Sequence, residues 1–164
     1  MPEYRSLSER RTRDRALHAF VRTRVGRQLF TGPLARLDRW VMERSNGRLQ
    51  LAVGSPVCLM RVIGARTGLL RVVPVLYTPR GTQMIVVASK GGAPEHPAWY
   101  HNLRKNPDLE VDVRGERHRM RARELHGPER DDAWSYISDH FAGYALYQSA
   151  VQRTIPVLVL EPRD

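Results

Sequence analysis

Between Pro56 and Ser89 three apolar segments follow one another across turns of only four or five residues, and this spacing limits the fold more than any other feature of the chain. A parallel pairing needs a crossover of about a dozen residues or more, so strands this close in sequence must run antiparallel. Val57 to Ile63 reads as the first strand, Gly64-Ala65-Arg66-Thr67-Gly68 as a glycine-bounded turn, and Arg71 to Thr78 as the second strand. Met84 to Ser89 forms the third, after the turn Pro79-Arg80-Gly81-Thr82. Later, Leu109 to Val113 and Glu116 to about Leu125 make a hairpin around Arg114-Gly115. There the alternation of Val111 and Val113 with Glu110 and Asp112 predicts one wet face. Ile155 to Leu160 is an apolar closing strand. About six strands with inserted helices and no βαβ rhythm predict a small antiparallel barrel, mainly β with helices (α+β), and not a doubly wound sheet.

The helices fall between strands. Pro97 sits where a first helical position belongs, and Trp99, Tyr100 and Leu103 follow at helical spacing until Asn106-Pro107. Gly127-Pro128 opens another helix with Trp134, Ile137 and Phe141 inward; Gly143 interrupts it before a short piece from Tyr144 to Ser149. Two further helices are predicted before Asn46, the first carrying Leu17, Phe20, Val21, Val25 and Leu29 along one side. Residues 1–50 hold twelve arginines against five acids, a net of +7 out of +10, so the basic excess belongs to this part. The chain therefore divides into a basic helical N-terminal extension over 1–50 and a barrel domain over 51–164. The extension suits contact with an anionic membrane surface.

Several function classes lose support. No apolar run approaches the roughly 18 residues needed to span a bilayer, and no apolar segment follows the N-terminal charges as a secretory leader would require. A cytoplasmic protein is expected. Cys58, the single cysteine, lies in the apolar run Val57-Cys58-Leu59-Met60 and reads as a core residue. His96 and His101 are five apart, off any common helical face, so no metal is expected. Nucleophile-elbow, phosphate-loop and dinucleotide fingerprints are missing from the sequence.

What remains is a set of groups suited to an anionic ligand. Ser89-Lys90-Gly91-Gly92 breaks a buried strand with a hydroxyl, an ammonium and two glycines, ahead of a helix N-terminus. Arg66 and Arg71 flank one turn, and guanidinium forks match phosphate and carboxylate oxygens. With neighbouring strands in a meander, Arg66, Arg71 and Lys90 could line one groove. Phe141, Tyr144 and Tyr147 recur every three residues, a stripe that reads equally as core packing or as a cavity wall with phenolic tips.

Four segments, in this order and spacing, resemble the deazaflavin-dependent nitroreductases, a family that includes quinone reductases. They are Gly64 to Gly68 with Arg71 and Pro74, Val87 to Gly92, Pro97 to Leu103 with Asn106-Pro107, and Tyr144 to Ser149 followed by Arg153-Thr154-Ile155-Pro156. The resemblance implies a split β-barrel of the FMN-binding type, coenzyme F-420 (F420, an 8-hydroxy-5-deazaflavin with a phosphate and oligoglutamate tail) as cofactor, and hydride transfer to a quinone, nitro or other activated acceptor. It assigns Arg66, Thr67 and Arg71, within the turn that holds Ala65, to the anionic tail, with Lys90 adding charge. Val73, Pro74, Val75, Val87, Ala88 and Ser89 with Ala98, Trp99, Tyr100 and Asn102 would hold the remaining cofactor surface. Tyr144 would close over the ring, and Ser89, Tyr144 and Tyr147 would form the catalytic, substrate side. Ala65 and Phe141 depart from the family pattern, at positions that often carry a basic residue and a tyrosine. FMN, or haem, in the same barrel is the alternative cofactor, and a non-catalytic nucleic-acid-binding module is the alternative outside catalysis, although no aromatic-basic interleaved strand pair supports nucleic acid.

Overall fold

The computed structural model describes residues 56–141 and 143–164. The predicted N-terminal helices lie outside these residues. Six strands, β1 (Val57–Ile63), β2 (Leu70–Arg80), β3 (Gln83–Val87), β4 (Asp108–Val113), β5 (Glu116–Glu124) and β6 (Val157–Pro162), close into one barrel in the order β1-β2-β3-β6-β5-β4. Every pairing is antiparallel. Among the described residues three helices accompany the barrel: α1 (Ala98–Lys105), α2 (Gly127–His140) and α3 (Gly143–Ser149).

Alternation along the strands produces two cores. Cys58, Met60 and Val62 of β1, Val75 of β2, Met84 and Val86 of β3, Val111 of β4, Met120 of β5 and Leu158 and Leu160 of β6 fill the barrel, joined by Tyr100 and Leu103 of α1. The opposite face of β3 and β6 presents Ile85, Val87, Val157 and Val159 to Ala133 and Ile137 of α2 and Tyr144 of α3. Strands whose both faces are covered must be apolar throughout, which accounts for the unbroken runs Met84 to Val87 and Val157 to Leu160. Cys58 is the core residue its sequence context predicts: it is fully buried, its thiol meets the Val75 carbonyl at 3.5 Å, and burial pushes its pKa up to about 12.

Several boundaries differ from expectation; β2 reaches Arg80, past the expected Thr78, and three others have local causes. β3 ends at Val87, two residues early, because Ser89 starts a 3-10 turn over Lys90–Gly92. β6 starts at Val157 and not Ile155, because the Ile155 N–H is already taken by the Gln148 side-chain oxygen at 2.9 Å. Pro97 caps α1 in an extended conformation instead of occupying its first turn.

Asp112 was expected on a wet face, and it does point outward, yet it is only 2% exposed. Arg61 from β1 and Arg117, directly opposite on β5, close over it with Nε···O contacts of 2.9 and 2.7 Å. Desolvation opposes ionisation there, but the hydrogen bonds from Arg117 and Arg61 prevail and hold the carboxyl below its ordinary pKa. Removing one partner of such a covered pair leaves charge uncompensated. Asp112→Ala is expected to lose about 2 kcal/mol of stability in urea unfolding at pH 7, less than for a fully buried pair because Arg117 stays half exposed. Since the folded-state value is depressed, the gap between wild type and Asp112→Asn should hold above the unfolded carboxylate value and shrink below about pH 4.

Candidate active site

β2 is longer than its partner β3, and the site follows from that mismatch. Val86 pairs with Tyr77 and β3 stops one residue later, so Leu70 to Val75 of β2 pair with β1 alone. Here the barrel wall parts. Val73 and Val75 turn inward, while Pro74, which has no N–H to offer a further strand, sits in this one-sided stretch. The loop from Ala88 to Pro97 leaves β3 at the same end of the barrel as the β1–β2 turn, since Ile63 pairs with Leu70.

The β1–β2 turn is clipped to α1. Asn102 Oδ1 accepts the Ala65 N–H at 2.9 Å, Lys105 Nζ donates to the Ala65 carbonyl at 2.7 Å, and Asn106 Nδ2 donates to the Ile63 carbonyl at 3.3 Å. Gly64 is required by space, because a Cβ there would lie 2.8 Å from Thr67 Oγ1 and 3.2 Å from the Leu69 carbonyl oxygen. The clipped turn holds Arg66, Thr67 and Arg71 in solvent beside Leu69 and Leu70, which are 58% and 53% exposed. Among the described residues no carboxylate lies in salt-bridge range of Arg66 or Arg71.

At the β3 exit part of the loop backbone is engaged and part is not. The Gly92 and Ala93 N–H groups are engaged with the Ser89 and Lys90 carbonyls, at 3.0 and 3.2 Å, while those of Ser89, Lys90 and Gly91 have no backbone acceptor among the described residues. Lys90 is not a free charge either, because Nζ lies 3.2 Å from Glu95, whose carboxyl that hydrogen bond holds below its usual range. Ala88 is buried and the Ser89 side chain nearly so.

Sequence reasoning singled out Tyr100 as a cofactor contact; the structure places it in the barrel core with its hydroxyl donating to Glu124 at 2.9 Å. Trp99 is half buried against the same core and Ala98 is exposed. Tyr144, 4% exposed, packs in the outer core with Phe141 at 4.9 Å and Trp134 and Tyr147 at 6.4 Å between ring centroids, and burial raises its pKa. With Tyr77, Thr78 and Phe141 it lines a small pocket. Tyr147 is half buried, and its backbone approaches the Ser89 loop: a Cβ on Gly92 would touch Tyr147 Cα and O at 3.4 Å. Ser89, Gly92 and Tyr147 are thus brought together.

The group that sequence reasoning left without a role is Arg153, whose guanidinium contacts the loop at Ala88, Ser89, Ala93, Glu95 and His96. A single arginine in a turn carries no periodic signal. His96 Nδ1 accepts from it at 3.1 Å and must be neutral to do so; burial, then the charge of Arg153, lowers its pKa. Elsewhere, a groove of about 450 Å³ outside β1, β4 and β5 is lined by Arg61, Asp108, Glu110, Arg119 and Arg163 and shares Leu70 with the site; Asp108 pairs with Arg163 inside it, and Arg61 and Glu110 pair with Asp112 and Arg117 beside it.

Gly92 at φ +79° and Gly91 at φ +64° separate backbone strain from contact. Gly91→Ala, with open space around it, should cost about 1 kcal/mol in thermal unfolding. Gly92→Leu should cost at least twice that and shift Tyr147 fluorescence or NMR resonances, because its side chain must displace α3.

The family model for F420-H2-dependent quinone reductase matches residues 34–162. An F420-H2-dependent quinone reductase of Mycobacterium tuberculosis is 36% identical over 135 residues, covering 79% of this chain and 91% of that protein. A solved F420-H2 dependent reductase superposes with a TM-score of 0.60 at 37% identity over 65% of this chain and 94% of that one. A structure described as a domain-swapped dimer superposes with a TM-score of 0.62 at 32% identity, over 78% and 96% of the two chains. With its split barrel, its clipped arginine turn and these likenesses, the chain belongs to the family of F420-H2-dependent quinone reductases.

Proposed function

We propose that the protein transfers a hydride from reduced F420 to a quinone held over the gap between β2 and the β3 exit, with nitro compounds as alternative acceptors. The observation that carries this reading is the pair of guanidiniums, Arg66 and Arg71, which have no carboxylate partner among the described residues and stand beside exposed Leu69 and Leu70 at that gap. Such a surface fits a cofactor with a polyanionic tail and an apolar ring, because forks match phosphate and carboxylate oxygens while apolar area covers carbon. The N–H groups of Ser89, Lys90 and Gly91, without a backbone acceptor among the described residues, extend the fit. FMN, with a single phosphate, would use less of it.

Bound reduced F420 supplies two electrons and a proton together from a ring carbon, and the oxygen of a quinone that receives them becomes negative until a solvent proton completes the hydroquinone. The chain's part is to position and to stabilise. Val73, Pro74, Val75 and Ala88 form the apolar side of the gap, Val87 backs it from the outer core, and Trp99 and Asn102 brace it through α1. Ser89 and Tyr147 place hydroxyl donors where the oxygen's charge develops, and Tyr144 forms the apolar cover. Phe141 offers no hydroxyl at a position where the family pattern often carries a tyrosine.

Arg71→Ala or Arg66→Ala should raise the Kd for oxidised F420 about tenfold in a fluorescence titration, and the loss should shrink as salt is raised. Lys90→Ala should do less, since Glu95 already shares that charge. Tyr147→Phe should lower kcat at saturating cofactor with little change in Kd. Equal losses of affinity in all of these variants would contradict the division of roles.

No helix among the described residues is long and apolar enough to cross a membrane. Residues 1–50, with a net charge of +7, suit peripheral contact with the anionic inner face of a membrane, where quinone is dissolved. Co-sedimentation with anionic vesicles should disappear on deletion of residues 1–30; binding unchanged by the deletion would refute the contact.

A further inference from the structure

Arg153 lies behind the loop that leaves β3. Its Nε donates to the Ala93 carbonyl at 3.1 Å and Nη1 to His96 Nδ1 at 3.1 Å, while Nη2 reaches the carbonyls of Ala93, Ser89, Glu95 and Ala88 at 3.0, 3.1, 3.3 and 3.4 Å. One side chain, 57 to 65 residues away in sequence, therefore gathers four of the loop's carbonyls on one side. A trans peptide is planar, so each carbonyl turned toward Arg153 turns the following N–H away from it. The Ala88 and Ser89 carbonyls thus direct the N–H groups of Ser89 and Lys90 outward.

The backbone at this point has the matching form. Ser89 is right-handed helical at φ −73°, ψ −35°, Lys90 has φ +50°, and Gly91 follows at φ +64°, ψ +25°. A right-handed residue followed by a left-handed one brings successive N–H groups into a concave anion cradle. A left-handed lysine costs about 1 kcal/mol or more, so the surrounding structure has to hold it. The bonds from Arg153 to the Ser89 carbonyl and its neighbours do so. Lysine in place of Arg153 would offer one ammonium, with no planar fork to span several carbonyls.

We infer that Arg153 is a positioning residue of the redox site, holding the Ser89, Lys90 and Gly91 N–H groups as a preformed cradle for an anionic oxygen. The identity of that oxygen rests on the hydride-transfer reading: it is a phosphate oxygen of the cofactor or the quinone oxygen that turns negative on reduction.

The test compares wild type, Arg153→Lys and Arg153→Ala, the last with and without millimolar guanidinium. The HN–Hα coupling and Cα shift of Lys90, read by NMR without cofactor, report whether its φ stays positive. The expected result is that Lys90 leaves the left-handed region in both variants while barrel resonances keep their dispersion, and that guanidinium partly restores it in Arg153→Ala. A rise of tenfold or more in the Kd for F420 would place the oxygen on the cofactor. A tenfold fall in kcat at saturating F420, with Kd unchanged, would place it on the quinone. Lys90 remaining left-handed, with Kd and kcat within twofold of wild type in both variants, would overturn the inference. If Arg153→Ala does not fold, Arg153→Lys decides on the same readings. A wild-type protein that binds no F420 would sink the hydride-transfer reading alone, because the Lys90 conformation, and a titration of the Ser89 to Gly91 amides with inorganic phosphate, are read without it.

Discussion

Val87 and Val157 lie far apart in the chain, and their pairing in the β3–β6 ladder is the contact on which the rest of the molecule depends. It closes the barrel by inserting the last strand between β3 and β5, which removes two sheet edges at once. The same ladder brings the segment before β6 against the β3 exit: the Ala88 N–H donates to the Pro156 carbonyl at 2.9 Å, and Arg153 reaches the loop from behind. Covering the outer face of these two strands then requires α2 and α3, so the helix carrying Tyr144 and Tyr147 is delivered to the gap by the closure itself.

Charge is handled differently on the two sides of the barrel. On β5 three of the four arginines are matched, Arg117 with Asp112 and Glu110, Arg121 with Asp108 and Arg123 with Glu129 and Glu161, and Arg163 just past β6 joins Asp108. These pairs balance the cross-strand charges and leave little net field there. On the β1–β2 turn Arg66 and Arg71 have no acid in salt-bridge range among the described residues. Composition reports a basic protein, whereas the structure shows a local excess at one hairpin. The turn is rigid enough to use it, since Asn102, Lys105 and Asn106 fasten its backbone to α1.

The strands were legible because their apolar runs and short turns leave few alternatives, and β1 coincides with its expected span. What the pattern did not show has local causes. Gln148 captures the Ile155 N–H from seven residues away, and no period announces such a contact. Asp112 alternates like a solvent-facing residue, but Arg61 belongs to a different strand and only the β1–β4 pairing brings it over the carboxylate. Tyr100 follows the helical period of α1, which says that it is buried and not whether it meets a ligand or Glu124.

The sequence alone determined that six antiparallel strands must enclose a core, that Cys58 lies within it, and that arginines and glycines suited to an anion sit at two turns, because alternation, turn chemistry and side-chain type are local properties. Tertiary structure alone decided that β2 outruns β3 and opens the wall, that Lys90 shares its charge with Glu95, and that Arg153 stands behind Ser89. These depend on register and on contacts between residues distant in the chain, where the free energy of a pairing is set by what the whole barrel brings together and not by the residues beside it.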